Sequence, residues 1–301
     1  MAIAWRRRVL TAFVGISTAL HLLSSDVGML LLATMMCCLS LVEFTDTICL
    51  HIVPQPKSAT EKMVHRLLLV ASGAVLCVGA WTGVKYVYDA MSFAATLAIS
   101  TYHIATARKM DQITLIKLLL DLFALLYIVN GFSHAILLRY SSHKYGLGLQ
   151  ILGLCCAWVC DSCALVAGSL MGDTKLAPVV SPGKTLVGAI AGVTSSVVTV
   201  LILFALPHLT FSLPAIGQWT HELLPPPDVV PRTHQVMLGV LLGVLCILGD
   251  LVESFVKRVA GVKDSGSFFP GHGGCLDRMD SFLFVAPCLY FYSQFVLFKP
   301  T

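Results

Sequence analysis

Charge is scarce in this chain. Only 12% of its 301 residues are Asp, Glu, Lys or Arg, about half the roughly 25% of an ordinary globular protein. Hydrophobic residues make up 57%. So little polar surface cannot cover a body dissolved in water, which excludes a soluble enzyme and a disordered chain alike. Dense Lys/Arg clusters are also lacking: the formal net charge is only +4 and the basic residues are scattered between apolar runs. No nucleic-acid partner is expected from that pattern. The eleven cysteines lack metal-ligand spacing. Most lie inside apolar runs, and the cluster Cys155, Cys156, Cys160 and Cys163 has one Cys-x-x-Cys step with no His or second Cys pair at zinc spacing. They read as small buried hydrophobes. No small-x-small cleavage motif follows the apolar run after Arg6-Arg7-Arg8, so that run is expected to be a retained spanning helix.

Long apolar runs are what the sequence has in abundance. A spanning helix needs about 20 predominantly apolar residues, and the runs fall at 9–23, 28–50, 66–84, 88–106, 113–138, 146–171, 184–206, 236–256 and 279–298. The expected fold is therefore an all-α integral membrane protein of about nine transmembrane helices. The weakest boundary is the third, where only Lys85 and Asp89 interrupt the apolar pattern. Residues 1–301 are expected to form a single polytopic membrane domain, with 1–145 as its lipid-facing scaffold and 146–301 as its catalytic helices and cytoplasmic loops.

Orientation follows from basic residues, which stay on the cytoplasmic side. With the N-terminus cytoplasmic, that side receives Arg6, Arg7, Arg8, Lys57, Lys62, Arg66, Arg108, Lys109, Lys175, Lys184, Lys257, Arg258, Lys263 and Arg278. The opposite side receives only Lys85, Arg139, Lys144, Arg232 and Lys299. The connections near 172–183 and 257–278 then share the cytoplasmic face. The long stretch from Pro207 to Gln235, with Pro225-Pro226-Pro227, reads as a plain connector on the other side.

Those two cytoplasmic connections and the helices beside them hold the unusual chemistry. A charge inside a spanning helix costs about 2.5–3.5 kcal/mol even on the lenient insertion scale, so such residues face polar cavities and are functional by default. Asp161 and Asp250 are the two best examples. Asp250, Glu253, Ser254, Lys257 and Arg258 stand at i, i+3, i+4, i+7 and i+8, which makes one helix face polar for two turns. Lys263-Asp264-Ser265-Gly266 follows, then Pro270-Gly271-His272-Gly273-Gly274, whose glycines let backbone N–H groups close on an anion. Asp277, Asp280 and Ser281 share a face at the start of the last helix. Either aspartate alone reads as a helix cap, but capping does not explain Asp161 and Asp250. Four carboxylates beside several Lys and Arg suit a hard cation with oxygen ligands, of which Mg²⁺ is the usual one where phosphates are handled. In the other connection, Ser181-Pro182-Gly183-Lys184-Thr185 resembles the end of a phosphate loop. Pro178 stands where the first glycine belongs and a spanning helix precedes it, so a Walker-type NTPase is rejected and a cationic, phosphate-holding loop remains.

The run Ser254-Phe255-Val256-Lys257-Arg258 through Lys263-Asp264 and His272-Gly273-Gly274 to Asp277-Arg278-Met279-Asp280 resembles the signature of the phosphatidate cytidylyltransferases, the CDP-diacylglycerol synthases. A second block is similar to the same family: Asp161-Ser162-Cys163-Ala164, Gly172, Lys175-Leu176-Ala177-Pro178 and Ser181 to Thr185. Arg8 and Glu43-Phe44 are weaker echoes. The resemblance implies a nine-helix fold and transfer of the cytidylyl group of CTP to phosphatidate. It also implies a bilayer setting with the active site on the cytoplasmic face, and it leaves room for a homodimer. For the site it implies Asp250 and Asp277 as leading metal ligands, with Asp161 and Asp280 as ligands or supporting carboxylates, for Mg²⁺ with a possible monovalent partner such as K⁺. Lys257, Arg258, Lys263 and Arg278 neutralise phosphates in this reading. Ser181, Lys184, Thr185, Ser254, Asp264, Gly273 and Gly274 contact substrate, and His272 orients or protonates pyrophosphate or serves as a structural hydrogen-bonding residue. Gly183 and Val187 depart from the family pattern, where a second Lys and a Glu are common. The competing readings are another CTP-dependent lipid enzyme such as a polyprenol kinase, and a cation or solute transporter; the latter would show internal symmetry that this sequence lacks.

Overall fold

The computed structural model describes residues 15, 17–19, 21–53, 58–141, 144–209, 223–226, 229–269 and 273–297. Most of the run at 9–23, the basic triplet Arg6–Arg8, His272 and most of the proline-rich connector lie outside the described residues. Helix α1 runs Asp26–Glu43, opened by Ser25, whose Oγ accepts the Gly28 N–H at 3.0 Å. It continues through a π-helical segment, Phe44–Cys49, to Ile52. Val53 then turns extended ahead of Pro54, the conformation that a following proline imposes. Helix α2 spans Ala59–Trp81 and α3 spans Lys85–Thr106. The boundary that the sequence marks only by Lys85 and Asp89 is a tight turn at Gly83, and those two side chains pair along one helix face. Asp111 caps α4, Gln112–Ala124, which passes through a second π segment, Leu125–Val129, into α5, Asn130–Ser141.

Helix α6 spans Gly146–Met171. The connection after it differs from the expected loop: β1, Lys175–Ala177, pairs antiparallel with β2, Ser181–Thr185, matching Lys175 to Thr185 and Ala177 to Ser181. Three residues close this turn, which holds Lys184 at a fixed register instead of on a free loop. Helix α7 spans Leu186–Leu209, α8 Arg232–Val259 and α9 Leu276–Tyr292, the last ending in a π segment, Ser293–Leu297.

Six helices among the described residues are long and apolar enough to cross a membrane: Asp26–Ile52, Ala59–Trp81, Gln112–Ser141, Gly146–Met171, Leu186–Leu206 and Arg232–Val259. The runs expected at 88–106 and 279–298 are helical over their described residues but fall outside that set. Helix α3 carries Lys85, Asp89, His103 and many hydroxyl side chains. The 17 residues of α9 open with Asp277, Arg278 and Asp280 and contain Pro287.

The contacts sort the chain into two compact units, Met1–Leu137 with Val256–Met279, and Leu138–Phe255 with Asp280–Thr301. In the first, consecutive helices pack side by side, and Cys37, Leu41, Leu69, Leu76 and Cys77 form a buried seam between α1 and α2. In the second, α6 packs along α7 around Leu149, Leu152, Cys156 and Val200. Helix α8 approaches α7 through Gly239 and Gly243. A Cβ at Gly239 would stand 2.6 Å from Val197 Cα, and one at Gly243 would stand 2.8 Å from Val193 Cα. Backbones come this close in apolar surroundings only over small residues. Replacing either glycine by Leu should therefore lower the thermal unfolding midpoint in detergent, at a cost of about 1–3 kcal/mol. An unchanged midpoint for both variants would contradict the close approach.

Candidate functional site

The residues singled out by the sequence fall into two polar clusters, one in each unit. In the second unit, Asp250 of α8 lies at the membrane-helix position where the sequence pattern turns polar. Its Oδ1 accepts a hydrogen bond from Ser254 Oγ at 3.1 Å, one turn further along, and its Oδ2 pairs with Lys184 Nζ at 2.6 Å. Both members of that ion pair are about three-quarters shielded from solvent. Asp280 is buried beside Asp250, Asp161 and Glu253, the last of which is itself buried on α8. Ser281 sits within donating distance of Asp161 Oδ2 at 3.4 Å and of the Cys246 carbonyl at 3.0 Å. Helices α6, α8 and α9 thus bring four carboxylates together, with Lys184 carried in by β2. Crowded carboxylates in a low-dielectric setting repel one another, and a cation or a proton must offset that repulsion.

Thr185 and Ser181 occupy β2, but Thr185 is buried and its Oγ1 accepts the Gly188 N–H at 3.1 Å, capping α7. A Cβ added at Gly183 would meet nothing within 4 Å.

The first unit contains the other cluster. Asp277, in the first turn of α9, accepts from Lys257 Nζ at 2.7 Å, from the Ser265 N–H at 3.0 Å and from the Gly274 N–H at 2.7 Å. The Lys257 and Asp277 side chains are only 12% and 6% exposed, so this is a charge-assisted pair shielded from water. Glu43, at the end of α1, completes the arrangement: its Oε2 accepts from the Leu276 N–H at 3.0 Å and from Ser265 Oγ at 3.3 Å. Its Oε1 is buried without a hydrogen-bond partner. The loop between α8 and α9 is therefore held on two carboxylates. Gly273 adopts φ 85°, a left-handed conformation natural to glycine, and a Cβ there would come within 2.8 Å of Asp277 Oδ2. Burial pushes the Cys275 thiol, beside this loop, up to about 12. Arg258, Lys263, Asp264 and Arg278 are exposed.

The structure brings Asp161, Asp250, Asp280, Ser254 and Lys184 into the first of these clusters, and Asp277, Lys257 and Gly274 into the second. His272 lies outside the described residues. Glu43 is the residue whose weight the sequence understates. It is more than 200 residues from the loop it holds, and its sequence signals are only an acidic side chain closing an apolar run and a weak echo of the family pattern at Glu43-Phe44.

The architecture and these clusters define a membrane-helical protein with concentrated carboxylate and lysine chemistry. Residues 6–296 match the cytidylyltransferase family, and the chain belongs to it. Among curated proteins it is 36% identical to the phosphatidate cytidylyltransferase of Bacillus subtilis over 199 residues, 65% of each chain. It is also 36% identical to that of Synechocystis sp. over 169 residues, covering 56% of this chain and 51% of the relative. The same identity holds with that of Staphylococcus saprophyticus over 168 residues, 56% of each. The aligned part thus spans between half and two thirds of the length of these relatives.

The Asp277 arrangement makes a prediction independent of activity. Asp277→Ala should free the Ser265 and Gly274 amides and speed hydrogen exchange across 263–275, each lost bond to a charged acceptor being worth about 1.5–3 kcal/mol. Lys257→Met, which leaves those amides bonded, should change exchange there far less. Equal exchange in wild type and Asp277→Ala would refute the anchoring.

Proposed function

We propose that the protein transfers the cytidylyl group of CTP to phosphatidate, giving CDP-diacylglycerol and pyrophosphate. The observation that carries this reading is the gathering of Asp161, Asp250 and Glu253 around Asp280, with Lys184 paired to Asp250, in a chain whose similar proteins are named for this activity. A phosphate oxygen of phosphatidate attacks the α-phosphorus of CTP, and the bond to the β-phosphate breaks with pyrophosphate leaving. Phosphatidate is already an anionic nucleophile and needs little general-base help, so the obstacle is the meeting of two polyanions. Positioning and charge neutralisation dominate such transfers.

An oxygen-only donor set fits a hard divalent cation better than a soft metal. We assign Mg²⁺, with a monovalent partner such as K⁺, to Asp250 and Asp277 as leading ligands and to Asp161 and Asp280 as ligands or supporting carboxylates. When bound, the divalent ion would supply charge stabilisation for the phosphates. Lys184, now paired with Asp250, and Lys257, now paired with Asp277, would pass charge to substrate phosphates. Arg258, Lys263 and Arg278 would add to that attraction, with Ser254, Ser181 and Thr185 as polar contacts and His272 at the pyrophosphate. Asp264, Gly273 and Gly274 would shape the loop around it. Asp277 has a second task, favoured by its three donors: fixing the loop itself.

The same reading places the protein in the bilayer with nine spans, a cytoplasmic N-terminus, a cytoplasmic active site and room for a homodimer. Single cysteines replacing Ser181 and the exposed Ser267, in a background without native cysteines, should be labelled from the same side as the N-terminus; opposite labelling would break the orientation. For the chemistry, Asp250→Asn keeps shape and removes charge. Its incorporation of labelled CTP into phosphatidate should fall below about a tenth of wild type, more than about 1.4 kcal/mol of barrier. Near-normal turnover would remove Asp250 from the cation site.

A further inference from the structure

Away from all the residues assigned to nucleotide and lipid chemistry, three helices of the first unit direct metal-ligating side chains at one point. His65 lies in the second turn of α2, His103 in the last turn of α3 and Asp121 in the third turn of α4. His65 Nε2 stands 2.6 Å from Asp121 Oδ2, and His103 Nε2 stands 2.7 Å from the same oxygen. One potential ligand atom from each residue lies within 4.8 Å of the others. We propose that His65, His103 and Asp121 form a binding site for a divalent transition-metal ion of the Zn²⁺ class.

The donor chemistry selects the ion. Two imidazole nitrogens and one carboxylate oxygen make the mixed N/O set that Zn²⁺ binds at about 2.0–2.2 Å, whereas Mg²⁺ and Ca²⁺ take oxygen ligands. Two rings crowd a single carboxylate oxygen at the short end of the usual N–H···O range of roughly 2.7–3.2 Å. An ion among them needs those atoms only slightly further apart, a displacement that side-chain torsions can supply.

The surroundings fit as well. The Asp121 and His103 side chains are only 3% and 8% exposed, while His65 is 25% exposed and faces a cavity of about 550 Å³ that all three residues line. That cavity is the entry path, and it leaves the fourth tetrahedral position open to water. Asp46, Glu61 and Asp111 on its wall are offset by Lys62, Arg66, Arg108, Lys109 and Lys117, with Lys62 and Arg66 paired to Asp46 and Arg108 to Glu61, so the three ligands and not the charge of the wall must supply the affinity. Tyr102 stacks on the His65 ring at 6.0 Å and helps fix its plane. A bound ion would staple α2, α3 and α4 at the end where Ala107–Asp111 connects the last two.

The test uses the full-length protein, purified without a polyhistidine tag and stripped with a chelator. Titration with Co²⁺ should give the visible absorption of a tetrahedral site, displaced by one equivalent of Zn²⁺ and not by Mg²⁺. His65→Ala, at the exposed edge of the cluster, should fold normally. It should weaken Zn²⁺ binding by more than the roughly 10–100-fold that loss of a supporting partner alone costs. Asp121→Asn should do the same, and Zn²⁺ should raise the unfolding midpoint of wild type but not of His65→Ala. If wild type takes up no Zn²⁺, or binds it no better than a well-folded His65→Ala, the trio is a hydrogen-bonded knot and the proposal fails.

Discussion

Charge in an apolar phase governs this protein. Each ionised side chain within a membrane-crossing helix must find compensation inside the protein, because lipid offers none. The response is concentration: polar groups are not spread along the helices but gathered into a few knots. Asp250 meets Lys184 and Ser254, Asp277 meets Lys257 and two backbone amides, and Asp121 meets two histidines. Breaking a pair by removing one partner leaves an uncompensated charge, which is far more costly than the pair is favourable. These knots are thus what the fold must accommodate.

Lys257, Ser265, Gly274 and Asp277 illustrate how a chemical signature can also be a structural one. The loop they hold is fixed at both ends by backbone N–H groups, with Ser265 and Gly274 donating to Asp277 and Leu276 donating to Glu43. Lys263 and Asp264 of this loop, and Arg278 in the first turn of α9, are exposed. The hairpin after α6 works similarly. Register between β1 and β2 sets the position of Lys184, while the buried Thr185 hydroxyl starts the next helix.

Much of this was legible in the sequence because it rests on periodicity. The limits of α6 coincide with its apolar run, and the i, i+3, i+4 spacing from Asp250 to Ser254 correctly placed the two on one face, since a continuous helix fixes both. Features set by tertiary contact were not legible. The π segments at Phe44–Cys49 and Leu125–Val129 fall inside the single runs at 28–50 and 113–138, with no break in either to mark them. Pairing of Lys175 with Thr185 has no strand-like alternation behind it, because Pro178, Pro182 and Gly183 interrupt the turn and strand between them. The partnership of Glu43 with residues near 265 and 276 depends on chain return across more than 200 residues. His65, His103 and Asp121 match no metal-binding spacing because each comes from a different helix.

The central claim is that the gathered carboxylates and lysines serve cytidylyl transfer to a lipid phosphate. Its most direct test is product analysis with the purified wild-type protein, phosphatidate, Mg²⁺ and CTP labelled in the cytosine ring. The account predicts that label enters a lipid identified as CDP-diacylglycerol with one pyrophosphate released per lipid formed, and that unlabelled ATP does not compete. Label remaining wholly in soluble nucleotides in a folded, Mg²⁺-supplied preparation, or a phosphorylated lipid formed with release of CDP, would contradict it.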